Sequence, residues 1–244
     1  MTGYGLIGRT LGHSFSASYF NSFFKERNID AEYNLFELRE ISDLPQLLYS
    51  HPHLRGLNVT IPYKQEVIPF LSGLTPEAES IGAVNTVLRT ASGDLLGHNT
   101  DAPGFSKALL PHLADRRQAL VLGTGGASRA VVYALRQLGV EPTLVSRRKT
   151  PDTITYGELT PDVIRTHPLI VNCTPLGTWP ETDRFPPIPY NLLTSSHFCF
   201  DLVYNPPLTQ FMKLSIEAGA GTCNGLEMLH YQADFAWIYW NSQK

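Results

Sequence analysis

The stretch Ala119-Leu120-Val121-Leu122-Gly123-Thr124-Gly125-Gly126-Ala127-Ser128 decides the fold of this 244-residue chain. Four apolar residues make a strand, three glycines allow a tight turn, and the alanine-rich run ending at Gly139 makes a helix. Strand, turn and helix in that order form a dinucleotide-binding unit, because a helix N-terminus stripped of side chains offers free N–H groups to a pyrophosphate. The cofactor contacts then fall on Gly123, Thr124, Gly125, Gly126 and Ala127. Ser128 replaces the last small residue of the usual fingerprint, and a glycine turn alone equally serves an ordinary strand-to-helix connection. The next strand, residues 142–145, runs into Ser146-Arg147-Arg148-Lys149. An NAD-binding chain usually places Asp or Glu there against the ribose 2′-hydroxyl. Cations in that place favour a 2′-phosphate, held by Ser146, Arg147 and Arg148 through charge-assisted hydrogen bonds, so the pair of segments points to NADP as cofactor. The same cations also fit a solvated basic loop.

Composition sets the frame. With 43% hydrophobic and 17% charged residues the chain can bury a large core, as one big or two modest domains. A net charge of −3 gives no general attraction to nucleic acid or to an acidic membrane, so small-molecule partners are expected, with no nucleic acid and no membrane. Cys173, Cys199 and Cys223 are widely spaced, without metal-ligand or CxxC spacing, which predicts no metal site and a reduced, cytoplasmic setting. The opening residues 1–8 lack the basic and long apolar regions of a signal peptide and fit a first strand.

Outward from the glycine turn, strands alternate with helices. Residues 14–24 place Phe15, Tyr19, Phe23 and Phe20, Phe24 at helical spacing. A strand is expected at 32–38, a helix at 41–49, a strand at 56–60 stopped by Pro62, short elements at 67–71 and 77–81, and a strand at 84–88 leading into a hairpin through Gly93. A second half begins near Asp101-Ala102-Pro103-Gly104, and strands at 169–172 and 198–203 are apolar enough for a parallel sheet covered on both faces. Helices follow at 209–219 and 226–240. The expected fold is α/β, an N-terminal α/β substrate domain plus a doubly wound Rossmann-type domain, with the C-terminal helix returning to the first. The expected bounds are 1–101 with 223–244 for the substrate domain and 102–222 for the NADP-binding domain, with a cleft between them.

Polar residues gather where open α/β sheets present ligands: Ser14, Ser16, Thr60, Lys64, Asn85, Thr100 and Asp101. Their surroundings, His13-Ser14-Phe15-Ser16, Asn58-Val59-Thr60-Ile61-Pro62-Tyr63-Lys64, Gly82-Ala83-Val84-Asn85-Thr86 and Asn99-Thr100-Asp101-Ala102-Pro103-Gly104, resemble the motif series of the shikimate dehydrogenase family in order and spacing. The second half continues the resemblance with Asn172-Cys173-Thr174-Pro175-Leu176-Gly177, Asp201-Leu202-Val203-Tyr204-Asn205-Pro206 and Gly225-Leu226-Glu227-Met228-Leu229-His230-Tyr231-Gln232.

The resemblance implies NADP-dependent reduction of 3-dehydroshikimate to shikimate, a step of aromatic amino-acid biosynthesis. It implies a proton-handling pair of Lys64 and Asp101, with the proton donor left open between them because their titrations are coupled. It further implies substrate contacts from Ser14, Ser16, Thr60, Asn85, Tyr204 and Gln232, and cofactor contacts from Asn172, Thr174 and Gly225. Each residue has a plainer use: Ser14, Ser16 and Asp101 as helix caps, Lys64 as a solvated side chain, Asn85 and Asn172 in turns, Gln232 as an exposed polar position.

The chain departs from the family at Ala17, where proline is usual, at Phe20, where histidine is usual, and at Thr178, where methionine is common. The stretch 149–156, broken by Pro151, leaves little room for a crossover helix and predicts a truncated nucleotide half. Alternatives are an NAD-dependent quinate/shikimate dehydrogenase, which Arg147 opposes, and a non-catalytic NADP-binding sensor, which Lys64 and Asp101 oppose. A monomer and a homodimer are both compatible with the resemblance.

Overall fold

The structure is a computed structural model that describes residues 1–12 and 14–242, so His13 of the first motif lies outside the described residues. Contacts divide the chain into two compact units: Met1–Thr100 with the chain from Ala233 onward, and Asp101–Gln232.

The first unit contains β1 (Thr2–Gly8), α1 (Phe15–Glu26), β2 (Ala31–Glu37), α2 (Leu44–Ser50), β3 (Leu54–Val59), β4 (Gly73–Leu74), α3 (Pro76–Ile81), β5 (Thr86–Arg89) and β6 (Leu95–His98). The six strands form one sheet in the order β2-β1-β3-β5-β6-β4. The first three are parallel, whereas β5 runs antiparallel to β3 and β6 to β5, as the hairpin through Gly93 requires. The expected helix at 41–49 is split into a 3₁₀ turn, Ile41–Asp43, and α2, with Pro45 in the first turn of the latter. Proline has no N–H to give there, so α2 starts afresh. β5 begins two residues later than expected, because the Asn85 side chain anchors the segment before it.

The second unit contains α4 (Asp101–Leu113), β7 (Gln118–Leu122), α5 (Gly126–Gln137), β8 (Glu141–Ser146), β9 (Thr153–Thr155), α6 (Pro161–Thr166), β10 (Leu169–Asn172), β11 (Phe198–Asp201), α7 (Gln210–Glu217), β12 (Gly221–Cys223) and the start of α8 (Leu226–Asn241). Its six strands are all parallel in the order β12-β11-β10-β7-β8-β9. This is the doubly wound arrangement, with its switch of direction between β7 and β10. β7 and β10 are buried nearly throughout, as strands covered by helices on both faces must be. β9 follows β8 after residues 147–152 without a crossover helix, which is the shortened form that Pro151 predicted. The edge strands β4, β9 and β12 and the six-residue α6 carry too few residues to show a period in the sequence.

α8 starts in the second unit and from Ala233 belongs to the first, where Trp237 and Trp240 fill the core. The ring of Trp240 lies 4.8 Å from that of Tyr4 and Trp237 lies 5.4 Å from Phe23, while the Trp240 indole N–H donates to the Val87 carbonyl at 3.0 Å. The C-terminal helix thus returns to the first domain. The compact units differ from the expected domain bounds in that Asp101 and residues 223–232 group with the second unit. The reason is a close helix crossing: a Cβ at Gly104 of α4 would lie 3.0 Å from the Gln232 backbone nitrogen and 3.1 Å from the Met228 carbonyl oxygen of α8.

Gly56 of β3 lies against the indole of Trp240, and a Cβ there would sit 2.5 Å from its Nε1. Gly56→Ala should therefore overpack this core and lower stability by about 1–3 kcal/mol, measured by urea unfolding. Unchanged stability would show that α8 can yield at this point.

Candidate active site

The glycine turn lies at the switch of strand order, between the C-terminal ends of β7 and β10. Gly123 has φ +104°, and a Cβ there would stand 3.1 Å from Thr174 Cγ2, so this position needs glycine for both conformation and space. Gly125 is exposed, has nothing within 4 Å of a built Cβ, and precedes the first turn of α5, which has no acidic residue. Thr124 is exposed, and Gly126 and Ala127 are half-buried. An unencumbered helix N-terminus with this open approach fits a pyrophosphate. Ser128 takes the usual small-residue position and is itself buried, its hydroxyl donating to the Gly125 carbonyl at 2.6 Å.

After β8, the Ser146 hydroxyl accepts from the Arg148 N–H at 3.3 Å. Arg147 and Arg148 are exposed, and neither makes an ion pair among the described residues, whereas Lys149 is engaged by Glu158. The Lys149 ammonium, with two hydrogen bonds from Thr155, pulls the Glu158 carboxyl down to about 2. Two guanidinium groups therefore remain for a phosphate, and no carboxylate stands at the end of β8 where an NAD ribose would be read.

The turn after β10 is built around a buried carboxylate. Asp201, at the end of β11 and 0% exposed, accepts from Asn172 Nδ2 at 2.9 Å, from the Val203 N–H at 3.0 Å and from the Thr209 hydroxyl at 2.6 Å. The bond from Val203 ends β11 at Asp201, two residues before the expected limit of 203. With its nitrogen directed to Asp201, the Asn172 amide turns its oxygen to Thr174, accepting from the backbone N–H at 3.0 Å and the hydroxyl at 2.7 Å. Burial pushes the Asp201 carboxyl up to about 6, against the opposing pull of its three donors. Gly225 is required nearby because a Cβ would run into the Leu202 backbone; its N–H donates to the Val203 carbonyl at 3.2 Å.

In the first unit a second buried polar line crosses the C-terminal end of the sheet. Ser14 caps α1, accepting from the Ser16 N–H at 3.3 Å. The Tyr33 hydroxyl donates to Asn58 Oδ1 at 2.8 Å, and Asn58 Nδ2 donates to the Asn85 carbonyl and to Thr86 Oγ1, each at 3.2 Å. Asn85, 2% exposed, accepts from the Thr100 N–H at 2.7 Å and donates to the Thr100 hydroxyl at 3.0 Å. Thr60 follows β3, its N–H donating to the Ile7 carbonyl at 2.9 Å. Lys64 lies on the turn after the cis Ile61-Pro62 bond, half-buried, with its carbonyl accepting from the Val84 N–H at 2.7 Å. The structure thus joins Asn85 and Thr100 directly, and joins them to Asn58 and Tyr33.

In the second unit, Asp101 is the first residue of α4 and 6% exposed. Tyr204 follows β11 half-buried, and burial raises its hydroxyl above the usual value. The Gln232 amide nitrogen donates to the Leu229 carbonyl of its own helix at 2.9 Å. The three cysteines are free, and burial raises each thiol. Among the described residues no group of His, Cys, Asp and Glu is placed to hold a metal ion, and no helix is long and apolar enough to cross a membrane.

Fold and site together define a dinucleotide-dependent oxidoreductase built from a separate α/β unit and a doubly wound one. Residues 6–87 match the shikimate dehydrogenase substrate binding domain. A shikimate dehydrogenase (NADP(+)) of Carboxydothermus hydrogenoformans is 38% identical, over 97% of this chain and 90% of that protein. One of Clostridium beijerinckii is 37% identical, over 97% and 91%. The crystal structure of shikimate 5-dehydrogenase from Thermus thermophilus in complex with NADP(H) and shikimate superposes with a TM-score of 0.88 at 32% identity, covering 99% of this chain and 94% of that one. The chain belongs to the shikimate dehydrogenase family.

The raised Asp201 carboxyl makes a signed prediction. A carboxyl whose folded value lies above its unfolded one contributes stability that is full below the unfolded value and is lost as pH rises through the folded one. The stability of the native chain relative to Asp201→Asn should therefore fall by about 1–2 kcal/mol between about pH 5 and pH 8, measured by urea unfolding. A difference that stays flat would mean that Asp201 does not titrate in this window.

Proposed function

We propose that this chain catalyses the reversible NADP-dependent reduction of 3-dehydroshikimate to shikimate, a step of aromatic amino-acid biosynthesis. The observation that carries the cofactor choice is the open glycine turn at the switch of strand order, followed after β8 by two exposed arginines without an acidic neighbour. Gly123, Thr124, Gly125, Gly126 and Ala127 take the pyrophosphate, Ser146, Arg147 and Arg148 the 2′-phosphate, and Asn172, Thr174 and Gly225 the nicotinamide end. Residues 1–101 with 223–244 serve as the substrate domain and 102–222 as the NADP-binding domain. The working form is a cytoplasmic monomer or homodimer whose partners are small molecules.

When bound, NADPH supplies the hydride that reaches the ring carbonyl carbon. The π pair of that carbonyl moves to oxygen, where the Lys64 ammonium meets the developing negative charge, and the coupled pair of Lys64 and Asp101 supplies the proton that completes the hydroxyl. Asp101 holds the ammonium in place and accepts a hydrogen bond from a ring hydroxyl. Ser14 and Ser16 donate to the substrate carboxylate at the N-terminus of α1, where the helix dipole favours negative charge. Thr60, Asn85, Tyr204 and Gln232 read the ring hydroxyls, since hydroxyls and amides both donate and accept.

Shikimate-dependent reduction of NADP, followed by absorbance with quinate and NAD in parallel, tests the whole reading; preference for quinate or NAD would overturn it. Lys64→Ala should lower kcat by roughly a hundredfold or more. An unchanged kcat would remove Lys64 from the chemistry. Arg147→Ala should weaken NADP and leave NAD use nearly alone, whereas equal losses with both cofactors would reject the 2′-phosphate assignment.

A further inference from the structure

We propose that the first unit carries an anion site at the end of its sheet opposite the candidate substrate residues, where Arg55 and Arg89 together take the phosphate group of a small phosphate ester.

The first residue of β1, Thr2, and the last of β5, Arg89, line a cavity of about 470 Å³ together with His53, Arg55, Thr90 and Ser92. The residues proposed to read substrate stand at the other ends of these strands, Thr60 after β3 and Asn85 before β5. The length of β3, about 20 Å, lies between the two places.

The strand ladder puts like charges together at this cavity. Gly56 pairs with Leu88 in the antiparallel register of β3 and β5, so the next step sets Arg55 opposite Arg89. Residues directly opposite have Cα atoms about 5 Å apart, and like charges so placed destabilise a sheet. Both arginines are half-buried, and neither forms an ion pair among the described residues. Carboxylates on the flanking segments are engaged elsewhere. Asp94 accepts from the Ser92 hydroxyl at 2.6 Å, Glu32 lies 3.4 Å from His53 Nε2, and Asp30 lies 3.1 Å from the N-terminal ammonium.

Each guanidinium is tethered through one nitrogen to a backbone carbonyl. Arg55 Nε donates to Trp240 and Arg89 Nη1 to Leu48, each at 3.3 Å. A guanidinium has five N–H donors, so both tethered groups keep donors for a ligand. An anion between them turns a repulsive pair into two charge-assisted contacts. A carboxylate brings one negative charge to this pair of cations. A phosphate monoester brings about 1.5 to 2, with three oxygens on one compact centre, and so meets both cations at once. The cavity is also larger than a phosphate group requires, which leaves room for the organic part of an ester.

Titration of the full chain with inorganic phosphate, without NADP and against sodium chloride at equal ionic strength, tests the site by amide proton–nitrogen correlation spectra. Saturable shifts are expected at Leu54, Arg55 and Thr90 to Gly93. No saturable shift at these amides, or shifts confined to the glycine turn and to Arg147 and Arg148, would overturn the proposal without recourse to any variant. Arg89→Gln should weaken phosphate binding at the 90–93 hairpin about tenfold or more, the scale of a lost charge-assisted hydrogen bond, while Arg147→Ala leaves it unchanged. Native affinity at the hairpin in Arg89→Gln, or loss of the hairpin response in Arg147→Ala, would equally overturn it. Acetate should bind there about tenfold more weakly than phosphate, and equal affinity would reject the phosphate class.

Discussion

A charge taken out of water has to be met by donors, and the second unit is organised around one such charge. Asp201 draws together the turn after β10, the turn after its own strand and the cap of α7. Because the carboxylate can only accept, it dictates which way Asn172 turns, and Asn172 in turn dictates where Thr174 lies. Thr174 then bounds the space beside Gly123, so the opening of the glycine turn is set from behind by a residue that no ligand reaches. The first unit uses a neutral version of the same device, a line of amides and hydroxyls anchored on one backbone carbonyl.

The coarse fold was legible because its long elements announce themselves. The apolar runs of β7 and β10, the glycine turn and the aromatic spacing of α1 each report a period or a break that has one physical explanation. Boundaries were less legible wherever a side chain overrides the ladder. Asp201 ends β11 by taking the Val203 N–H for itself, and Asn85 takes the N–H of Thr100, effects that hydrophobicity does not encode. The return of α8 was legible as an aromatic-rich segment in need of a core, yet the division of that helix between units depends on Gly104, whose missing side chain admits a close crossing.

The candidate site was legible in its outward-facing members and opaque in its supports. Ser14, Lys64 and Arg147 sit in motifs, with polar chemistry at strand ends to mark them. Tyr33 sits inside β2, where a tyrosine is an ordinary strand residue, and the bond of its buried hydroxyl to Asn58 emerges only in the fold. Asn58 is similar: beside Val59 and Thr60 it reads as part of a motif, while in the fold its amide is spent on Tyr33, Asn85 and Thr86.

The short connection between β8 and β9 carries a consequence for binding entropy. A parallel pair ordinarily needs a long crossover, and here the chain returns within residues 147–152 by folding on its own side chains. The Thr153 hydroxyl donates to the Arg148 carbonyl and accepts from the Thr150 N–H, an isolated bridge joins Thr150 to Thr153, and Lys149 is tied to Glu158. A loop so braced has already given up most of its backbone freedom during folding. An anion bound by Arg147 and Arg148 would therefore meet a segment whose conformational cost has been met in advance, with only the two side chains left to be ordered.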